Sequence, residues 1–156
     1  MFTPQTRWAA EGSLHVTLRF FGPTSDAHVE VLRELVTSLA HRAPPLALHA
    51  ATLTGFPDPA RAHVLVVELE PDPLLTAFAE RAEAAAIALG FAPETRAYRP
   101  HITLARMKES ADVRAPAAGA ARLPAGYATA ITLYASTTEA SGPVYTSLAR
   151  ATLPTP

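Results

Sequence analysis

Leu14-His15-Val16-Thr17-Leu18 and Pro100-His101-Ile102-Thr103-Leu104 are the two stretches on which the reading of this chain turns. In each, polar residues alternate with apolar ones, the period-two pattern of a half-buried strand. On a strand, residues two apart share a face, about 7 Å from each other. His15 and Thr17 therefore project together, as do His101 and Thr103, while Val16, Leu18, Ile102 and Leu104 turn towards a core. With six histidines, 17 threonines and 18 leucines in 156 residues, chance supplies about 0.08 His-x-Thr-Leu matches, so two copies ask for a reason.

Working outward, the first strand runs on through Phe20 and ends at Gly22-Pro23. Thr24, Ser25 and Asp26 offer N-caps for a helix to about His41, with the apolar stripe Val29, Leu32, Leu35 or Val36, and Leu39. Pro44-Pro45 stops it. Residues 46–53 and 63–69 read as strands, the first closed by Gly55-Phe56-Pro57. Asp72 then caps a second helix, with Pro73 at its first position and Gly90 at its end. Residues 100–106 form the strand of the second motif. Residues 111–125 lack a period and read as a loop. Residues 128–135 and 144–153 close the chain as two strands around Ser141-Gly142-Pro143. Strands that run in pairs between two helices predict an α+β fold, with helices packed outside mostly antiparallel sheets, in one domain over residues 1–156.

Composition narrows the function. Thirteen Lys and Arg stand against 14 Asp and Glu, a net charge of -1. That excludes the basic excess with which proteins coat DNA or anionic membranes, although a local phosphate site needs only a few placed groups. Zero cysteines remove disulfides, thiolate zinc sites and cysteine nucleophiles together. No apolar stretch approaches the length of a bilayer span, and the first ten residues lack the apolar core of a secretory signal. A cytoplasmic protein without membrane association is expected. Twelve arginines against the single Lys108, with abundant alanine, fit a coding bias, so arginine content alone identifies no ligand.

Two imidazoles and two hydroxyls converging on one volume suit a phosphodiester. Hydroxyls hold non-bridging oxygens, and paired histidines serve as acid and base near neutral pH. Zinc is the competing occupant, but it needs three or four ligands. His28, His41, His49 and His63 bear no matching relation to the motifs, so no metal or cofactor is expected. Arg19 shares the His15 face if that strand is regular. Arg106 has the opposite parity to His101 and reaches the site only through a bend or from the strand end. Both also suit an ordinary surface. Phe56 and Tyr98 are candidate stacking surfaces for a terminal base, although Phe56 fits core packing better. A non-catalytic binder of RNA ends or phosphorylated nucleotides would use the same face.

The segments Leu-His-Val-Thr-Leu-Arg-Phe-Phe-Gly (14–22) and Tyr-Arg-Pro-His-Ile-Thr-Leu-Ala-Arg (98–106) resemble the 2H phosphoesterase superfamily, named for two His-x-Thr/Ser motifs. Within it they are most similar to the LigT-like RNA 2′,3′-cyclic phosphodiesterases, formerly called 2′-5′ RNA ligases. Gly55-Phe56-Pro57, 131–136 and 142–145 extend the likeness from Trp8 through most of the chain. The resemblance implies a bilobal fold with two antiparallel sheets facing across a cleft, one motif from each lobe, and a pseudo-two-fold axis. It implies metal-free hydrolysis of terminal 2′,3′-cyclic phosphates of RNA, or of small cyclic nucleotides, to a 2′-phosphomonoester, with cleavage or formation of 2′-5′ linkages in some members. Another cyclic-phosphate substrate is the alternative within the superfamily. By position His15 matches the proton donor, His101 the acceptor, and Thr17 and Thr103 the phosphate-holding hydroxyls. A monomer is expected. One departure stands out: 14 residues precede His15, without the apolar Phe-x-Ala-like opening strand usual in the family, which would leave a sheet edge or part of the core uncovered.

Overall fold

The computed structural model describes residues 5–118, 125–139 and 142–156. The chain divides into two compact units. The first gathers residues 1–17, 48–71 and 99–126, and the second residues 18–47, 72–98 and 127–156. The architecture is α+β with antiparallel sheets, as the alternation of elements predicts.

The first unit is built on a four-stranded sheet in the order β1 (Thr6–Trp8), β5 (His101–Ala111), β4 (Ala62–Leu69), β3 (Ala50–Phe56). Every neighbouring pair is antiparallel. Its core lies on one face, where Ala62, Leu65, Ala105, Met107 and Val113 are buried together, with Leu53, Leu104 and Ala111 packed against them. A buried aliphatic side chain such as Leu65 contributes about 1.5–3 kcal/mol relative to an exposed one. Gly55 is where β3 passes closest to this core. A Cβ there would collide with the Ala62 side chain and stand 2.7 Å from Val113 Cγ2, so only glycine fits. Val113 N also donates to the Pro59 carbonyl at 2.8 Å, holding the chain after β5 over the end of β3. The short helix α3 (Arg114–Ala118) follows. It falls in the stretch expected to be a loop, of which residues 119–124 lie outside the described residues.

The second unit carries α1 (Asp26–Ala40) and α2 (Pro73–Ala88) with the hairpin-like pair β7 (Ala130–Glu139) and β8 (Gly142–Thr152). Two-residue strands β2 (Ala47–Leu48) and β6 (Gly126–Tyr127) pair separately. The expected caps form. The Ser25 side chain accepts from His28 N at 3.3 Å, and Asp72 Oδ1 accepts from Leu74 N and Leu75 N at 2.8 and 3.0 Å. Leu32, Val36 and Leu39 of α1 are buried, as their spacing predicts. Gly90, at φ 88°, ends α2 in the conformation that favours glycine. Ser141 of the anticipated final turn lies outside the described residues, and Gly142 opens β8.

One predicted strand is absent. Residues 14–20 form no strand; only Val16 bridges, antiparallel, to Ile102. Leu14 and Phe20, assigned to an apolar face, are 44% and 73% exposed. The cause is the edge on which the segment must pair. β1 already occupies β5 from Ala105 to Met107. Continued without interruption, its register would set Glu11 opposite Ile102; Val16 stands there instead, five residues later. Those residues leave the sheet through a 3₁₀ turn at Glu11–Ser13, and after Thr17 the chain enters the second unit. β1 is thus the strand that precedes His15, and it carries Thr-Arg-Trp instead of a Phe-x-Ala-like stretch.

Candidate functional site

The registers of the first unit place side chains on its second face, opposite the Leu65–Ala105 cluster. Directly paired residues of an antiparallel ladder share a face, and the next residue along takes the other. Val66 pairs with Thr103 and Glu68 with His101, so His101 and Thr103 stand together beside Glu68. The Val16–Ile102 bridge puts those two residues on the opposite face. One step to either side, His15 then lies across from Thr103, and Thr17 across from His101. The two histidines are diagonal neighbours, about 7–8 Å apart at the backbone, with a threonine beside each.

Both rings are held in the same way. His15 Nδ1 lies 2.7 Å from the Ser13 carbonyl oxygen, and His101 Nδ1 lies 2.7 Å from that of Arg99. A carbonyl oxygen only accepts, so Nδ1 carries the hydrogen in both rings. In the neutral ring Nε2 is then the basic nitrogen, the one that exchanges a proton. The sequence dictates this contact, because each histidine reaches back to the residue two before it.

A bulge brings in the arginine that parity had placed elsewhere. Leu65 pairs with Ala105 but Val66 with Thr103, so Leu104 is an extra residue on β5. Val64, which shares a face with Val66, pairs with Arg106, and Arg106 arrives on the side of His101 and Thr103. Arg7 of β1 is its direct partner on the other edge. Phe56, opposite Val64, belongs to the same face. It is half-buried and meets the His101 ring edge-on at 5.1 Å between centroids.

Arg19 and Tyr98 belong to the second unit. The Arg19 side chain, 13% exposed, pairs with Glu83 at 2.5 Å and donates to the carbonyls of Phe20 and Ala92 at 2.8 and 2.6 Å. It ties the segment before α1 to α2 and the chain that follows it, instead of sharing the His15 face, because the strand that would have carried it there does not form. Tyr98 is half-buried, and burial pushes its phenol up to about 12, so it stays protonated. The expectation of one motif per lobe is likewise corrected: both lie in the first unit, joined through the Val16–Ile102 bridge. Arg99 was missed. It precedes His101 by two residues, the spacing that had paired His101 with Thr103, and its guanidinium lies over the Phe56 ring at 4.7 Å.

Residues 4–135 match the model of the 2′-5′ RNA ligase superfamily. The chain belongs to that superfamily. Among curated relatives of the superfamily, an RNA 2′,3′-cyclic phosphodiesterase of Bacillus subtilis is 28% identical over 100 residues, 64% of this chain and 55% of that protein. One of Aeropyrum pernix is 31% identical over 97 residues, 62% of this chain and 54% of its own length. The chain thus spans about half the length of these relatives. Among solved structures, Escherichia coli LigT in complex with 3′-AMP aligns with a TM-score of 0.70 at 27% identity, covering 97% of this chain and 84% of LigT. TT0787 of Thermus thermophilus shares the fold with a TM-score of 0.75 at 24% identity, covering 96% and 83%. Among the described residues no three His, Asp or Glu side chains cluster to hold a metal ion, and no helix is long and apolar enough to cross a membrane.

Proposed function

We propose that the chain hydrolyses 2′,3′-cyclic phosphates at RNA ends or on small nucleotides, leaving a 2′-phosphomonoester. The observation that carries this reading is the matched pair of histidines, each with Nδ1 held by the carbonyl two residues before it, which makes Nε2 the nitrogen that exchanges a proton. His101 Nε2 takes a proton from a water whose oxygen attacks phosphorus in line. The bond from phosphorus to the ribose 3′-oxygen breaks, and His15 Nε2–H donates to that oxygen. The acid and base roles follow the positions given by the resemblance. A correctly placed general acid or base contributes about 10²–10⁴-fold. Thr17, Thr103 and Arg106 meet the charge on the non-bridging oxygens, the positioning and electrostatic part of phosphoryl transfer. The acyclic product carries one more negative charge than the cyclic ester, and in this reading Arg106, on the face of His101, meets it.

Incubation with a nucleoside 2′,3′-cyclic phosphate in EDTA tests the reading. The expected product is the 2′-phosphate, formed at a rate the chelator leaves unchanged. Binding without turnover would replace the enzyme by a binder of RNA ends. Turnover that EDTA abolishes would replace the two-histidine mechanism by a metal-dependent one.

A further inference from the structure

His101 has a carboxylate for a neighbour. Glu68 on β4 is its direct cross-strand partner, and such partners stand about 5 Å apart at Cβ on one face. A carboxylate within reach of an imidazole favours the charged ring and retains its proton. A group that must accept a proton from water is poorly served by that. Glu68, however, is engaged elsewhere. Arg99 Nε donates to Glu68 Oε1 at 3.0 Å, and a terminal guanidinium nitrogen reaches the same oxygen. The guanidinium lies over Phe56, whose ring in turn walls His101. The Arg99 carbonyl meanwhile accepts from His101 Nδ1.

We propose that Arg99 is a positioning residue for His101: it draws the Glu68 carboxylate away from the imidazole and, through Phe56 and its own carbonyl, fixes the ring with Nε2 open. The assignment of His101 as base rests on the phosphodiesterase reading; the competition between Arg99 and His101 for one carboxylate does not. The other charged or titrating groups set towards His101 are His15 from the returning segment, Arg106 farther along β5 and Arg7 on β1. β3 contributes Thr52, Thr54 and Phe56, all uncharged. Glu68 is therefore the carboxylate that the strands beside β5 present on this face.

Two measurements on the same variants test this. The first follows the His101 ring by NMR through a pH titration without substrate, in the parent, Arg99→Gln, Glu68→Gln and the double variant. The second records kcat/KM against pH on a 2′,3′-cyclic nucleotide. Freed from Arg99, Glu68 stabilises the imidazolium, so its proton leaves at higher pH. Arg99→Gln is expected to move both the ring titration and the ascending limb of kcat/KM upward by about one pH unit. Adding Glu68→Gln returns both to the parent position, and Glu68→Gln alone leaves them there. Arg99→Lys keeps the charge and holds the titration in place, which covers the case in which Arg99→Gln fails to fold. A rise in KM with an unmoved titration would make Arg99 a substrate contact and overturn the proposal, as would a shift that Glu68→Gln does not reverse. If the parent does not hydrolyse the cyclic phosphate, the phosphodiesterase reading fails and the NMR arm still decides this one.

Discussion

Residues 15–18 and 101–104 read alike, yet the second stretch opens an 11-residue strand and the first is an irregular segment with one bridge. Behind His101 stand β4, β3 and an apolar core; beside His15 stands a 3₁₀ turn. The histidines nonetheless share the same Nδ1 contact to the carbonyl two residues earlier. Strand geometry is therefore not what equips the ring. A local main-chain contact fixes its tautomer, and the sheet decides how firmly the whole segment is held.

The sharpest test of that equivalence is loss of either ring. His15→Ala and His101→Ala are each expected to lower kcat by about 10²-fold or more on a cyclic nucleotide. The double variant should lose far less than the product of the two, since both rings serve one transition state. A marked inequality between the singles would show that the firmer support of the second motif carries catalytic weight. Next in size is an effect on stability. Gly55→Ala forces a Cβ into Ala62 and Val113 behind the second motif, at an expected cost of about 1–3 kcal/mol in urea unfolding. Gly12→Ala, beside the first motif, meets nothing within 4 Å, and is expected to stay within about 0.5 kcal/mol. Equal losses at the two glycines would undo the contrast between a packed side and an unpacked one.

The smallest expected effect lies just past β5. The Arg114 guanidinium and backbone N–H, both donating to Asp112, hold its carboxyl down to about 2, against an ordinary value of 3.8. A depressed carboxyl contributes stability above its ordinary value and loses it as pH falls through the depressed one. Asp112→Asn should therefore melt slightly below the parent near pH 6, with the gap closing towards pH 2. A gap that persists at pH 2 would assign the difference to something other than this ion pair.

Much of the fold was legible because it rests on local signals. Ser25 and Asp72 cap helices, Gly90 ends one, the β-branched run at 63–69 is a strand one residue longer than expected, and the alternation at 100–106 marks the start of one that runs on to Ala111. The residues that proved illegible depend on pairing. Alternation at 14–20 states which face a strand would bury but not whether an edge is free to receive it, and β1 had taken most of that edge. Arg106 appeared misplaced because a bulge is a property of two strands together, not of the one that carries the extra residue. Arg19 was misassigned along with the strand supposed to hold it. Arg99 was legible in the sequence, since the spacing that joins His101 to Thr103 also applies backwards from His101.

The five residues between the β1 register and Val16 give the first motif slack. Ser13 must stay two residues before His15, but residues 10–12 lie off the ladder, where a longer loop adds little to the cost of closure. Length changes there are absorbed before they reach His15. β5 has no such reserve: removing one residue between His101 and Thr103 would send every side chain on one side of the cut to the opposite face. An insertion scan should accordingly find one flank of the site permissive to changes in length and the other closed to them.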